Sequence, residues 1–133
     1  MDRHAVIYVW IGLGSAIGGV ARYWCYGLTA RQLGDTFPWG TLAVNVLGSA
    51  LIGFFATVTS PDGRFLVPSL ARQFVMVGLC GGFTTFSTFS LETLNLARDG
   101  DWLRAFGNTA GTLFLCFLGV WLGFLLATVL NDG

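Results

Sequence analysis

Charged side chains are clustered along the chain, and four long uncharged stretches lie between the clusters. In order, the stretches are His4–Ala21, Thr36–Pro61, Gln73–Leu91 and Ala105–Asn131. A helix needs about 20 mostly apolar residues to cross a hydrocarbon core of about 30 Å, and each stretch meets or approaches that length. The pattern predicts an all-α membrane protein with four transmembrane helices, at residues 5–28, 38–60, 70–96 and 102–130.

The predicted helices are joined by short connections that carry turn residues and most of the charges. The connections include Phe37-Pro38, Ser60-Pro61-Asp62-Gly63 and Arg98-Asp99-Gly100-Asp101, dipeptides and clusters that favour turns. No remaining stretch is long enough for a soluble domain. We therefore expect a single four-helix transmembrane domain over residues 1–133.

Composition agrees with a lipid environment and excludes several functions. The chain is 54% apolar and 11% charged, with a mean hydropathy of +0.70, whereas globular proteins carry about 25% charged residues. The net charge is zero and no basic run is present, which argues against nucleic acid as a partner. The three cysteines, Cys25, Cys80 and Cys116, lie singly in separate predicted helices and lack the spacing of a metal site or disulfide framework.

The positions of the glycines indicate close contacts between helices, because most of the 19 glycines lie inside the predicted helices. Small residues recur four apart, as at Gly14/Gly18, Gly107/Gly111 and Gly119/Gly123, and this spacing lets helix backbones approach closely. Four helices of about 10 Å diameter enclose a pore poorly. We therefore expect a homo-oligomer, most simply a two-fold dimer.

The third predicted helix contains a segment with weak helix propensity. Gly81-Gly82 is followed by five hydroxyl residues within seven positions, from Thr84 to Ser90. Glycine costs about 1 kcal/mol per residue relative to alanine in a helix, and threonine is a poor helix former. We expect a break near Gly81–Thr85, where free backbone groups would line a cavity. The alternative is that each hydroxyl bonds to a carbonyl of its own helix.

Polar residues also form stripes on two other helices. Thr41, Asn45 and Ser49 recur four apart in the second helix, and Arg104, Asn108 and Thr112 do so in the fourth, so each set lies on one face. A lone membrane-embedded asparagine is commonly a helix–helix contact. Two such stripes beside a broken helix instead favour a narrow polar path.

Hydrogen-bond donors dominate this path, which favours a small anion as its cargo. Acidic residues are absent from the helix interiors, with Glu92 toward the end of the third helix, whereas proton relays and cation sites normally place acids there. Phe86 and Phe89, three apart, present ring edges with positive quadrupole charge, unless they are ordinary packing residues. Arg22 either raises the potential of a vestibule or extends to the membrane surface.

These residues resemble the fluoride channel family usually called CrcB or Fluc, over essentially the whole chain. The resemblance rests on three segments. They are Gly18-Gly19-Val20-Ala21-Arg22-Tyr23, Gly40-Thr41-Leu42-Ala43-Val44-Asn45 and, most specifically, Gly81-Gly82-Phe83-Thr84-Thr85-Phe86-Ser87-Thr88-Phe89-Ser90-Leu91-Glu92. The resemblance implies passive fluoride export across the cytoplasmic membrane, by antiparallel dual-topology homodimers with two pores and a central structural sodium ion. No enzymatic activity is expected.

The resemblance also implies roles for individual residues. The fluoride path would be lined by Asn45, Phe86, Phe89, Ser87, Thr88, Ser90, Asn108 and Thr112. Sodium would bind the carbonyls of Gly81 and Thr84 from both subunits. Glu92 resembles a family carboxylate near the pore mouth, Arg22 would belong to the vestibule, and Arg104 stands where some relatives have an aromatic residue.

Two alternatives belong to other functional classes. A proton-coupled small multidrug exporter also has four short helices, but it needs a carboxylate in its first helix, and the sequence has none between Arg3 and Asp35. A non-transporting membrane subunit would tolerate loss of the hydroxyls in the third helix.

Apart from Arg22, the arginines are divided three to three between the two sides of the predicted membrane domain. The tails and the middle connection hold Arg3, Arg64 and Arg72, and the other two connections hold Arg31, Arg98 and Arg104. An excess of Lys and Arg on cytoplasmic loops sets orientation. Even when Arg22 is counted, the bias is one residue, so the sequence predicts insertion both ways round, as an antiparallel dimer requires.

Overall fold

The computed structural model describes residues 2–133, and these residues contain helices and no strand. Four helical spans are long and apolar enough to cross a membrane. They are α1 (Arg3–Leu33), α2 (Trp39–Val58), the third span (Ser69–Arg98) and α6 (Trp102–Asp132). The prediction of an all-helical protein with four apolar spans is confirmed.

The first span extends further than predicted. The helix continues through Thr29 to Leu33 and stops where Gly34 adopts a φ of 79°, a conformation that favours glycine. The prediction of 5–28 followed the apolar residues, but a helix can continue past the hydrocarbon into the polar interfacial region. The second span is slightly shorter than predicted, because it begins after Pro38 and ends at Val58.

The third span consists of several pieces. These are α3 (Ser69–Gln73), a π-helical stretch (Phe74–Cys80), α4 (Gly81–Phe83) and α5 (Phe86–Arg98). Between α4 and α5, Thr84 has φ −89° and ψ 158°, and Thr85 has φ −154° and ψ 112°. These two residues are therefore extended, and both of them lie beside the second span.

Glycines bring the spans together in two pairs, α2 with α6 and α1 with the third span. A methyl group added at Gly123 would collide with the backbone of Ala50, and one added at Gly53 would collide with the backbone of Val120. At Gly14 it would lie 2.8 Å from the carbonyl oxygen of Phe74. These contacts require the close approach that small residues allow between membrane helices.

Other glycines face open space within the subunit. No atom from another part of residues 2–133 lies within 4 Å of a methyl group built at Gly12, Gly19, Gly107 or Gly111. The small-residue faces of α1 and α6 that contain them are thus available to something outside the subunit.

Two arginines that follow α2 in the chain form hydrogen bonds to backbone carbonyls at helix ends. The Arg72 guanidinium donates to the carbonyl oxygens of Ala56 and Thr59, at 3.4 and 2.9 Å, and to the Thr59 hydroxyl. The Arg64 guanidinium donates to the carbonyl of Leu130, at 3.2 Å, near the end of α6. Positive groups thereby satisfy carbonyls at two helix C-termini, where they are favourable.

Candidate functional site

An open groove of about 450 Å³ lies between α2, the third span and α6. Its walls include many of the residues singled out from the sequence: Asn45, Gly81, Thr84, Phe86, Phe89 and Thr112. Ser87, Thr88, Ser90 and Asn108 do not line it. The fold therefore brings part of the stripe on α2, the extended residues of the third span and part of the stripe on α6 to one cavity.

Asn45 fixes the backbone of the extended segment. Its Oδ1 accepts a hydrogen bond from the Thr85 N–H at 2.7 Å, and its Nδ2 donates to the Thr85 carbonyl at 3.1 Å. Both residues are buried, so these bonds satisfy backbone groups that would otherwise be costly to leave unpaired. Because Oδ1 and one N–H are committed, the amide keeps one free N–H.

The extended segment also releases two backbone carbonyls from their helical partners. In a continuous helix the Gly81 carbonyl would accept from Thr85 N–H, and the Thr84 carbonyl from Thr88 N–H. Here the Thr85 N–H is given to Asn45, and the Thr88 N–H is given to the Thr85 hydroxyl at 3.1 Å. Gly81 and Thr84 therefore carry carbonyl oxygens with unused hydrogen-bonding capacity.

Phe86 and Phe89 begin the helix that follows this segment. Their ring centroids are 5.4 Å apart, with an interplanar angle of 60°, so the rings meet edge to face. Phe89 is 6% exposed, whereas Phe86 is 72% exposed. The two rings share a helix face, as their spacing of three predicts. Only the neighbouring helices determine that Phe89, and not Phe86, is packed within the subunit.

The hydroxyls at the start of α5 are occupied by local hydrogen bonds. The Thr85 hydroxyl lies 3.1 Å from the Ser87 hydroxyl and donates to the Thr88 hydroxyl at 3.1 Å. Ser90 donates to the carbonyl of Phe86 at 2.9 Å. The Thr85 hydroxyl also accepts from the Thr88 N–H and so caps the first turn of α5, whereas Ser90 bonds back to its own helix.

On α6, the polar residues form a chain of side-chain hydrogen bonds. Asn108, which is 2% exposed, donates from Nδ2 to the Thr93 hydroxyl at 2.9 Å. The Thr112 hydroxyl donates to Asn108 Oδ1 at 3.3 Å, and the Thr93 hydroxyl donates to the Phe89 carbonyl. The chain links α6 to α5 behind the groove, and Thr93 is a member that the sequence interpretation missed.

Arg104 does not join this chain, although it has the same spacing. Its guanidinium pairs with Asp101 at 2.8 Å, and its backbone N–H donates to the same carboxylate at 3.2 Å. These hydrogen bonds hold the pKa of the Asp101 carboxyl below its ordinary value. Asp101 thereby serves as the N-terminal cap of α6, and Arg104 is engaged at the surface.

Glu92 lies at a second, smaller cavity of about 210 Å³, near the connection between α1 and α2. The Thr41 hydroxyl donates to Glu92 Oε1 and also lies 3.5 Å from the Tyr26 hydroxyl. Sequence spacing placed Thr41 on the same helix face as Asn45. The role of Tyr26 could not be predicted from the sequence, because Tyr26 and Thr41 are 15 positions apart and lie on different helices. Arg22 is half-buried on α1 and lines neither cavity.

Comparison with known proteins gives matches over nearly the whole chain. The family model described as CrcB-like protein, Camphor Resistance (CrcB), matches residues 9–124. A protein of Opitutus terrae named fluoride-specific ion channel FluC is 60% identical over 126 residues, which are 95% of this chain and 96% of that protein. A protein of the same name from Methylocella silvestris is 57% identical over 125 residues, 94% of this chain and 95% of that protein.

A third relative with this name, from Paramagnetospirillum magneticum, is 60% identical over 124 residues, 93% of this chain and 97% of that protein. The resemblance inferred from the sequence motifs is thus confirmed over almost the full length, together with the multi-pass membrane architecture. The chain belongs to the CrcB-like protein family.

Proposed function

We propose that the protein is a fluoride-selective channel that exports fluoride passively across the cytoplasmic membrane. The observation that carries the proposal is the 60% identity, over 95% of the chain, to a protein named fluoride-specific ion channel FluC. The groove adds a physical rationale, because it combines amide and hydroxyl groups from α2 with phenylalanine rings from α5.

Selectivity would follow from the size and chemistry of the groove. Fluoride is a small, hard anion, and N–H and O–H donors replace its hydration directly, while the edges of Phe86 and Phe89 present positive quadrupole charge. Larger anions would be excluded from a narrow path. Neutral hydrofluoric acid that enters the cell would dissociate, and the trapped fluoride would leave through this path without any bond being made or broken in the protein.

The functional unit is an antiparallel homodimer with two pores. Two observations support a second copy: the groove is open along one side of the subunit, and the small-residue faces at Gly12, Gly19, Gly107 and Gly111 have no contact within residues 2–133. The arginines differ by at most one between the two sides, which leaves little preferred orientation, so both orientations needed for an antiparallel pair would be made.

The break in the third span would lie at the centre of this dimer and hold a structural sodium ion. The donor set fits the ion, because the Gly81 and Thr84 carbonyls lack their helical donors and hard cations prefer oxygen ligands. Bound there, sodium would neutralise carbonyl dipoles from two subunits that would otherwise repel each other. Asn45 would hold the segment in the shape that presents these oxygens.

The competing classes are less well supported. A proton-coupled multidrug exporter would need an acidic residue in the first span, and α1 has no Asp or Glu. A non-transporting subunit would give no reason for the similarity to proteins named as channels. We therefore place Asn45, Phe86 and Phe89 in the ion path, with Asn108, Thr112 and the α5 hydroxyls supporting it.

The proposal is tested by reconstituting the purified protein into liposomes loaded with potassium fluoride or potassium chloride. With valinomycin present to carry potassium, fluoride should leave rapidly, as measured with a fluoride electrode, and chloride should be retained. Protein-free liposomes are the control. Equal release of the two anions, or no release of either, would overturn the proposed function.

A further inference from the structure

The groove contains few hydrogen-bond donors that the protein has not already used. The Thr84 hydroxyl donates to the Cys80 carbonyl at 3.0 Å, the Thr85 hydroxyl to Thr88, and the Thr112 hydroxyl to Asn108. These threonines line the groove, but their O–H hydrogens are directed into the protein. An anion in the groove therefore cannot be coordinated by them without breaking an internal hydrogen bond.

Ser49 differs from every other hydroxyl residue in the groove wall. It lines the groove beside Gly48 and Ile52, and its hydroxyl forms no hydrogen bond within residues 2–133. Several hydroxyls elsewhere in the spans bond to the carbonyl four residues earlier, as Thr57 does to Gly53 at 2.7 Å and Thr109 does to Ala105 at 3.0 Å. Ser49 does not make this bond to Asn45, so its donor is free.

The free donor of Ser49 lies on the same face of α2 as the remaining N–H of Asn45. Residues four apart on a helix have Cβ atoms about 5–6 Å from each other. This separation suits two successive positions of one small ion, which can approach the second donor before it leaves the first. The contacts between α2 and α6 use other positions, such as Gly53 and Ala50, so helix packing does not occupy Ser49.

We propose that the Ser49 hydroxyl forms a second anion-binding position in the groove, next to the position at Asn45, for a small hard anion. The ion passes between the Asn45 N–H and the Ser49 O–H along the face of α2, and each donor replaces part of its hydration. This inference rests on the proposed function, because fluoride is the anion that would occupy both positions. Ser49 is thus a specific contact of the path, whereas Thr84, Thr85 and Thr112 shape its walls.

The test is fluoride efflux from proteoliposomes with Ser49→Ala, Ser49→Thr and the wild type. Losing a hydrogen bond to an ion that has given up part of its hydration raises the barrier, so Ser49→Ala should slow efflux by about tenfold or more. Ser49→Thr keeps the hydroxyl and should retain most of the rate. Thr57→Ala is the matched control, because it removes a hydroxyl from the same helix that is bonded to its own backbone and lies outside the groove.

Size-exclusion elution and thermal unfolding of each variant separate this role from a structural one. The inference expects Ser49→Ala to elute and unfold like the wild type while conducting slowly. Wild-type efflux from Ser49→Ala would overturn it, and so would equal loss in Ser49→Ala and Ser49→Thr. A wild type that conducts no fluoride would instead overturn the proposed function, so the two failures are distinguishable.

Discussion

The side-chain amide of Asn45 forms two hydrogen bonds with the backbone of Thr85, a residue 40 positions further along the chain. This pairing connects α2 to the extended residues between α4 and α5. It fixes which way the amide faces, since Oδ1 must accept and Nδ2 must donate. It also takes the Thr85 N–H away from the Gly81 carbonyl, so one side chain acts on two parts of the groove.

Replacing Asn45 should therefore destabilise the protein as well as impair conduction. In Asn45→Ala, the buried N–H and carbonyl of Thr85 lose their partners, and each unpaired group costs about 1–3 kcal/mol. In Asn45→Asp, one carboxylate oxygen would face the Thr85 carbonyl and repel it. Thermal unfolding in detergent measures the loss, with Leu47→Ala, which is exposed on the same helix, as the control. Wild-type stability of Asn45→Ala would contradict the role of the pairing.

The two phenylalanines should respond differently to the same substitution. Phe86→Ile should suppress fluoride efflux while leaving the proposed dimer intact, because an aliphatic side chain lacks the positive ring edge. Phe89→Ile should suppress efflux and also lower stability by about 1 kcal/mol or more, because Phe89 is buried and shape changes in a packed core are costly. Efflux and unfolding temperature are measured on the same preparations. Unchanged efflux from Phe86→Ile would refute the ring-edge interaction.

Arg72 should stabilise the end of α2. Its guanidinium bonds the Ala56 and Thr59 carbonyls and the Thr59 hydroxyl, and hydrogen bonds to charged groups contribute about 1.5–3 kcal/mol. Arg72→Ala should lower the free energy of unfolding by about this amount, and Arg72→Lys should recover part of it. Arg64→Ala, on an exposed residue of the same connection, should have a smaller effect. Equal losses at the two positions would contradict the capping role.

Asp101 should make the start of α6 sensitive to acid. The Arg104 hydrogen bonds lower the folded-state pKa of the carboxyl, so its contribution to stability is present above the unfolded pKa and is lost as pH falls through the lowered folded value. The contribution is small because the pair is exposed. The protection of the first turn of α6 against hydrogen exchange, relative to the intrinsic rate at each pH, should fall at acidic pH in the wild type. In Asp101→Ala, which removes the capping oxygen, this protection should be low at all pH values, and a wild-type profile would contradict the cap.

The arrangement of spans was predictable because it depends on local composition. Uncharged stretches and turn residues were sufficient to find four helices, since crossing a bilayer requires length and apolarity more than specific contacts. The end of α1 at Leu33 was not found, because helical hydrogen bonding continues beyond the apolar residues. The π-helical stretch at Phe74–Cys80 could not be predicted either, because nothing in its composition distinguishes it from an α-helix.

The site was only partly predictable, because hydrogen-bond partners depend on tertiary position. Spacing placed Thr41, Asn45 and Ser49 on one face, but only Asn45 and Ser49 line the groove, whereas Thr41 lines the second cavity. It could not distinguish Asn45, which binds the backbone of Thr85, from Ser49, whose hydroxyl is free. Equal spacing also grouped Arg104 with Asn108, yet Arg104 pairs with Asp101, because a nearby carboxylate satisfies its charge at the surface.

Selective conduction of fluoride through the groove is tested most directly by the reversal potential in a planar bilayer. With fluoride at different concentrations on the two sides and chloride equal, the reversal potential should follow the fluoride gradient, by about 59 mV for each tenfold ratio. It should not move when a chloride gradient or a pH gradient is imposed instead. A reversal potential that follows chloride or protons, or the absence of any current, would contradict the account.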